Sequence, residues 1–218
     1  ELGAGERLGG ERAPILEAVE RYPRQILLAA GAFLSVQVTF YILIGFVLAY
    51  GSDPDGAAMR RETLLLAVLI GSAVQIAAQF VAAGYSDRHG RRGIFMLGAA
   101  LLGLWGFVLF PLIDTGSFWL TVTGITGGLV FVGMMYGPQA AFYTELFSTE
   151  VRYSGASLGY QLGAIIGGAF APTIATALWR ESTIGILGVS IYIACAAIAT
   201  ILSVTFLTET FESSLQDT

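Results

Sequence analysis

The reactive side chains of this sequence are confined to a few places. The stretch "GYSDRHGRR", residues 84–92, gathers Asp87, Arg88, His89, Arg91 and Arg92 within nine positions. The stretch "ELFSTEVR", residues 145–152, supplies Glu145, Glu150 and Arg152. Each holds both signs of charge, so the two can pair if the fold brings them to one face. Such pairs contribute little when exposed, about 0–1 kcal/mol. In a partly dry junction between helix ends they can bias a two-state equilibrium by more. We therefore expect Asp87, Arg88, Arg91, Glu145 and Arg152 to form one charge network that acts as a gate. The arginines alone would serve as a topology signal, but Asp87 would then have no purpose.

The chemistry these residues exclude is as informative. There is one His and one Cys, and no acid lies inside an apolar run. A metal centre, a cofactor site or an enzyme's catalytic cluster is not expected. His89 changes charge near neutral pH, yet it sits in a wet loop, and a proton-coupling role is not expected of it. Cys195 has no partner for an intrachain disulfide. A second set of polar groups is uncharged and lies within apolar runs. Gln37 and Tyr41 are one helical turn apart, as are Gln75 and Gln79. Tyr136 and Gln139 flank Pro138, and Tyr160 adjoins Gln161. Polar groups at membrane depth are expensive, so each either bonds a neighbouring helix or lines a solute path.

The elements that must position these residues follow from composition. The chain is 55% hydrophobic and 12% charged, with a mean hydropathy of +0.72. Soluble domains carry about 25% charged residues. The class is all-α, a polytopic membrane protein whose main partner is the lipid bilayer. With a net charge of −5 and no basic patch, nucleic acid is not an expected partner. A membrane helix needs about 20 apolar residues, and six segments qualify: 25–50, 63–83, 93–113, 117–142, 154–179 and 184–208. Residues 1–24 read as a cytoplasmic linker with a short amphipathic helix, 25–208 as the six-helix bundle and 209–218 as a cytoplasmic tail.

Arginine placement sets the direction. With the N-terminus inside, the cytoplasmic segments hold Arg7, Arg12, Arg21, Arg24, Arg88, Arg91, Arg92 and Arg152, against Arg60, Arg61 and Arg180 outside. Both ends of the chain then face the cytoplasm. The six spans divide into two groups of three with opposite topology, as inverted repeats do, although no residue-level repeat is visible. Gly155, Gly159, Gly163 and Gly167 recur every four residues, and Ala171 continues the row. Small residues at that spacing let helices approach closely. Gly124, Gly128, Gly133 and Gly137 repeat the device in the fourth span, and Pro138 and Pro172 are expected to bend their helices.

Two motifs carry a resemblance. "DRHGRR" resembles the cytoplasmic signature D-R-x-G-R-R of the major facilitator superfamily, and "ELFSTEVR" resembles the E-x₆-R pattern of its second half. The run "GPQAAFYTELFSTEVRYSGASLGYQLGAIIGGAFAPTIATAL", residues 137–178, is similar to the bacterial metabolite:proton symporters, whose members include α-ketoglutarate, shikimate, citrate and proline/betaine permeases. The chain departs from the signature at Ala83, where the family usually has Gly, and at Gly93, where it often has Pro. The resemblance implies the C-terminal half of a twelve-helix carrier, in a bacterial plasma (inner) membrane. It further implies a small organic acid or zwitterion and protons as the transported partners, and an N-terminal six-helix half as the protein partner. The chain begins at Glu1 without a signal pattern, and we expect it to be a piece of a longer protein. Because first and fourth helices of each half line the cavity in this superfamily, the resemblance favours Gln37, Tyr41 and Gln139 as cavity residues. Gln161 joins them from the family-like run. Other facilitators, such as a sugar carrier or a drug:proton exporter, and a non-transporting scaffold or sensor of the same fold stay open.

Overall fold

The protein is described by a computed structural model covering residues 14–147 and 151–207. Arg7, Arg12, Glu150 and the tail 209–218 lie outside the described residues, as does most of the expected linker. The described chain begins with α1 (Pro14–Arg21). Six long helices follow: α2 (Pro23–Ser52), α3 (Arg61–His89), α4 (Arg91–Asp114), α5 (Phe118–Glu145), α6 (Arg152–Glu181) and α7 (Ile186–Phe206). Each is long and apolar enough to cross a membrane. Two of them widen locally into π-helix, α2 at Ile42–Phe46 and α6 at Ala164–Ala169.

The expected loop 84–92 is mostly helix, and this corrects the sequence reading. The apolar run stops near Ala83, but α3 continues to His89. A helix satisfies its own backbone hydrogen bonds in water as in lipid, so loss of hydrophobicity does not end it. Gly90 ends it, with φ of 93°, a conformation that costs other residues about 1 kcal/mol or more. α4 starts at the next residue. Asp87, Arg88 and His89 thus occupy the last turn of α3, and Arg91 and Arg92 the first turn of α4. The positive charge of Arg88 suits the C-terminal end of a helix dipole.

The packing has an internal two-fold order. α2 packs on α6 and α7, α5 packs on α3 and α4, and α4 packs on α7. Exchanging α2 with α5, α3 with α6 and α4 with α7 maps this arrangement onto itself, with chain direction reversed. The sequence shows none of this order because the repeats share packing, not residues. In one of the paired interfaces Gly159, Gly163 and Gly167 of α6 face α2, while Gly155 faces Phe147 beyond the end of α5. A Cβ on Gly163 would stand 2.8 Å from the Ala30 carbonyl oxygen. In the paired interface the glycines come from α5: a Cβ on Gly137 would stand 2.5 Å from the Gln79 carbonyl oxygen of α3. Pro138 lies inside an unbroken α-helical run, whereas Pro172 follows the π segment of α6, at the start of its last α-helical stretch.

Phe33, Phe95, Leu102, Met135 and Phe142 fill one half of the core, and Leu43, Phe46, Phe110, Ile125 and Ile193 fill the other. Buried polar side chains in this core bond backbone carbonyls of neighbouring helices. Tyr143 donates to Ala29 at 2.7 Å and Ser190 to Gly106 at 2.7 Å. These bonds tie α5 to α2 and α7 to α4.

Candidate functional site: a neutral wall and a charged helix junction

One face of the bundle carries two adjoining cavities. The first, of 390 Å³, is lined by Gln37 and Tyr41 of α2, by Ser72, Gln75 and Gln79 of α3, and by Tyr136 and Tyr160. The second, of 320 Å³, is lined by Tyr136, Gln139, Tyr143 and Thr144 of α5 and by Tyr153, Ser157, Tyr160 and Gln161 of α6. Tyr136 and Tyr160 line both, and Tyr41 lines the first. Among the described residues, neither lining contains Asp, Glu, Lys, Arg or His.

All four residues singled out from the sequence lie on this wall. Tyr41 and Gln161 are exposed, whereas Gln37 and Gln139 are largely buried at its edges. The Gln139 Oε1 atom is buried with no hydrogen-bond partner, an unmet acceptor at the base of the second cavity. The wall draws on α2, α3, α5 and α6, not on α2 and α5 alone. Ser72, Thr144, Tyr153 and Ser157 were not singled out. Their signal is weak, since a lone hydroxyl in a helix usually bonds its own backbone, as Thr144 does to the Ala141 carbonyl. Gln75 and Gln79, a turn apart, were the visible clue to α3.

At the end of the bundle where α3 meets α4, Arg91 gathers the charges. Its Nε donates to both Glu145 oxygens, at 2.8 and 3.0 Å, and its Nη1 to Asp87 at 2.7 Å. The side chains of Arg91 and Glu145 are 14% and 15% exposed, against 62% for Asp87. This pairing pins the start of α4 to the end of α5. Arg92 donates to the Thr205 carbonyl of α7 at 2.9 Å, and Arg152 Nε to the Phe147 carbonyl at 3.4 Å. Arg88 is exposed and makes no ion pair among the described residues. The structure thus brings together Asp87, Arg91 and Glu145 and leaves Arg88 outside.

The opposite end has a clasp that the sequence reading missed. Arg180 of α6 pairs with Asp53 and lies over the Trp179 ring, 4.5 Å from its centroid. Trp179 meets Tyr50 edge-on, and Tyr50 donates to Asp114 at the end of α4. Among the described residues no cluster of His, Cys, Asp and Glu could hold a metal ion.

Six membrane-crossing helices with an uncharged polar wall on one face have the architecture of a solute carrier. The family model described as "Sugar (and other) transporter" matches residues 26–218. The chain belongs to that family, within the major facilitator superfamily, and so to a family of transporters rather than enzymes. It is 33% identical, over 94% of its length, to a putative metabolite transport protein of Haemophilus influenzae, covering 47% of that protein. It is 29% identical, over 98% of its length, to an inner membrane metabolite transport protein of Escherichia coli, covering 52% of it. The shikimate transporter of Escherichia coli is 32% identical over 77% of the chain and 38% of its own length. The chain spans about half the length, or less, of these relatives.

Proposed function

We propose that this chain is the C-terminal six-helix half of a proton-coupled symporter for a small organic acid or zwitterionic metabolite, working by alternating access. The observation that carries the reading is the uncharged wall of α2, α3, α5 and α6, which opens on one face of the bundle. In this reading a second half covers the wall and encloses the solute between the two. Residues 1–24 connect the halves. The protein sits in a bacterial inner membrane, the location in the name of one relative, and both ends of the chain are cytoplasmic by the arginine placement. The phenols and amides of the wall can bond hydroxyl and carboxylate oxygens without a fixed charge. The solute's charge and the coupled proton then fall to residues of the other half.

The junction of Asp87, Arg91 and Glu145 acts as the cytoplasmic gate. Held together, these helix ends close that side. Arg152 supports the junction from the start of α6, and Arg88 lies beside it. The shikimate relative and the resemblance to α-ketoglutarate and betaine permeases favour an acid or zwitterion. A second reading, a sugar or other polyol, draws on the same neutral wall and on the family's description.

The test is uptake by proteoliposomes. Residues 1–218 alone are expected to insert and not to transport. Joined to its upstream half, the chain is expected to accumulate a labelled organic acid under an inward proton gradient and to lose it when a protonophore is added. Uptake by the 218-residue chain alone would refute the assignment as a half. Sugar uptake insensitive to the protonophore would overturn the symport reading in favour of the second. Folded, inserted full-length protein that moves none of these solutes would favour a scaffold or sensor.

A further inference from the structure

Helix α3 carries a second, different concavity on the flank away from the polar wall. Its buried edge rests on Gly133 and Gly137 of α5. On one side lie Ser72, Gln75 and Gln79. On the other, Val74, Val81 and Tyr85 face Ile94 and Leu97 of α4 across a groove of 690 Å³, floored by Val130 and Met134. α3 and α4 are joined at Gly90 but scarcely touch beyond it, so the groove lies open along its length. From His89 to Val74 its wall is about 22 Å long at 1.5 Å per residue. Half a bilayer is about 15 Å of hydrocarbon plus its headgroup layer. The groove therefore spans one leaflet.

Its mouth has the opposite chemistry. His89, Gly90 and Gly93 line that end of the groove, and Arg88, the residue before His89 on the last turn of α3, is exposed with no ion pair among the described residues. Among the described residues, Asp87 and Glu145 bond Arg91. His89 stacks on Tyr85 with ring centroids 4.3 Å apart. Its Nδ1 lies 3.2 Å from the Tyr85 carbonyl oxygen, which holds the ring against its own helix. Gly93 keeps the mouth wide: a Cβ there would meet nothing within 4 Å.

We propose that this groove binds an anionic phospholipid. One acyl chain lies between α3 and α4, and the phosphate rests against Arg88. The charge left open at the mouth selects the headgroup, and the apolar groove, one leaflet long, selects the chain. This is separate from the solute path, because α3 stands between the two.

The test is native mass spectrometry of the full chain in detergent, delipidated and then titrated with phosphatidylglycerol or with phosphatidylcholine of the same acyl chains. One phosphatidylglycerol per chain is expected to bind about five-fold tighter than phosphatidylcholine, the ratio that about 1 kcal/mol from one cation gives. Arg88→Gln is expected to erase that preference and leave phosphatidylcholine binding unchanged. Gly93→Leu, which fills open space, is expected to weaken both. A preference that survives Arg88→Gln, or a first-lipid affinity unmoved by Gly93→Leu, would overturn the proposal. So would a chain dimer that forms as lipid is lost, since the groove would then be an interface between copies.

Discussion

Replacing Glu145 with Gln should destabilise the bundle far more than replacing Asp87 with Asn, although both carboxylates bond the same guanidinium. Arg91 and Glu145 are mostly buried, and one guanidinium nitrogen meets both carboxylate oxygens within 3.0 Å. With charge centres about 4 Å apart and an effective dielectric constant of about 20, the attraction is about 4 kcal/mol. Taking both charges out of water offsets part of that, leaving a coupling of about 2 kcal/mol. Asp87 is largely in solvent, where such pairs contribute about 0.5 kcal/mol. The measurement is thermal unfolding of the detergent-solubilised chain for Arg91→Gln, Glu145→Gln, Asp87→Asn and the two double variants that include Arg91. The Arg91/Glu145 cycle should show the large coupling and the Arg91/Asp87 cycle the small one. Arg88→Gln should stay within about 0.5 kcal/mol of wild type. Additive effects at Arg91 and Glu145, or an equal coupling at Asp87, would refute the reasoning and reduce these charges to topology signals.

Gly163→Ala should lower the melting temperature, by the equivalent of about 1–3 kcal/mol, because its methyl group would meet the Ala30 carbonyl at 2.8 Å. Gly93→Ala, with open space and a gain in helix propensity, should leave it unchanged or raise it. Cysteine placed at Tyr41 or Gln161, in a background lacking Cys195, should react readily with a water-soluble thiol reagent, and at Gln37 or Gln139 more slowly. In the full-length carrier, solute should protect at least two of the four. If all four stay inert, the wall faces lipid or a packed interface.

The sequence made the spans legible because membrane helices announce themselves by length and composition. It did not show where they stop. Hydropathy fades near Ala83, but the backbone of α3 obeys its own hydrogen bonds until Gly90. Partner choice was less legible still. The two charged stretches hold both signs and so can pair, but nothing in them says that Glu145 bonds Arg91, 54 positions earlier in the chain. The glutamines of the wall stood out because an amide in an apolar run is conspicuous. The tyrosines were weaker candidates because their rings are at home in a core, and only the fold brings Tyr136 and Tyr160 to the same cavities. The Asp53–Arg180 clasp joins two loop-proximal charges that nothing in their local sequence connects.

The π segment at Ile42–Phe46 gives α2 two facings. A π turn holds one residue more than an α turn, and one residue is about 100° of helix rotation. The stretch before it presents Gln37 and Tyr41 to the solute wall, and the stretch from its last residue onward presents Phe46 and Tyr50 to the aromatic clasp with Phe110 and Trp179. In genetic terms the segment behaves as a retained single-codon insertion. Deleting one codon there would restore a plain α-helix of nearly the same composition and hydropathy, yet swing one of those two sets of side chains by about 100° out of its setting.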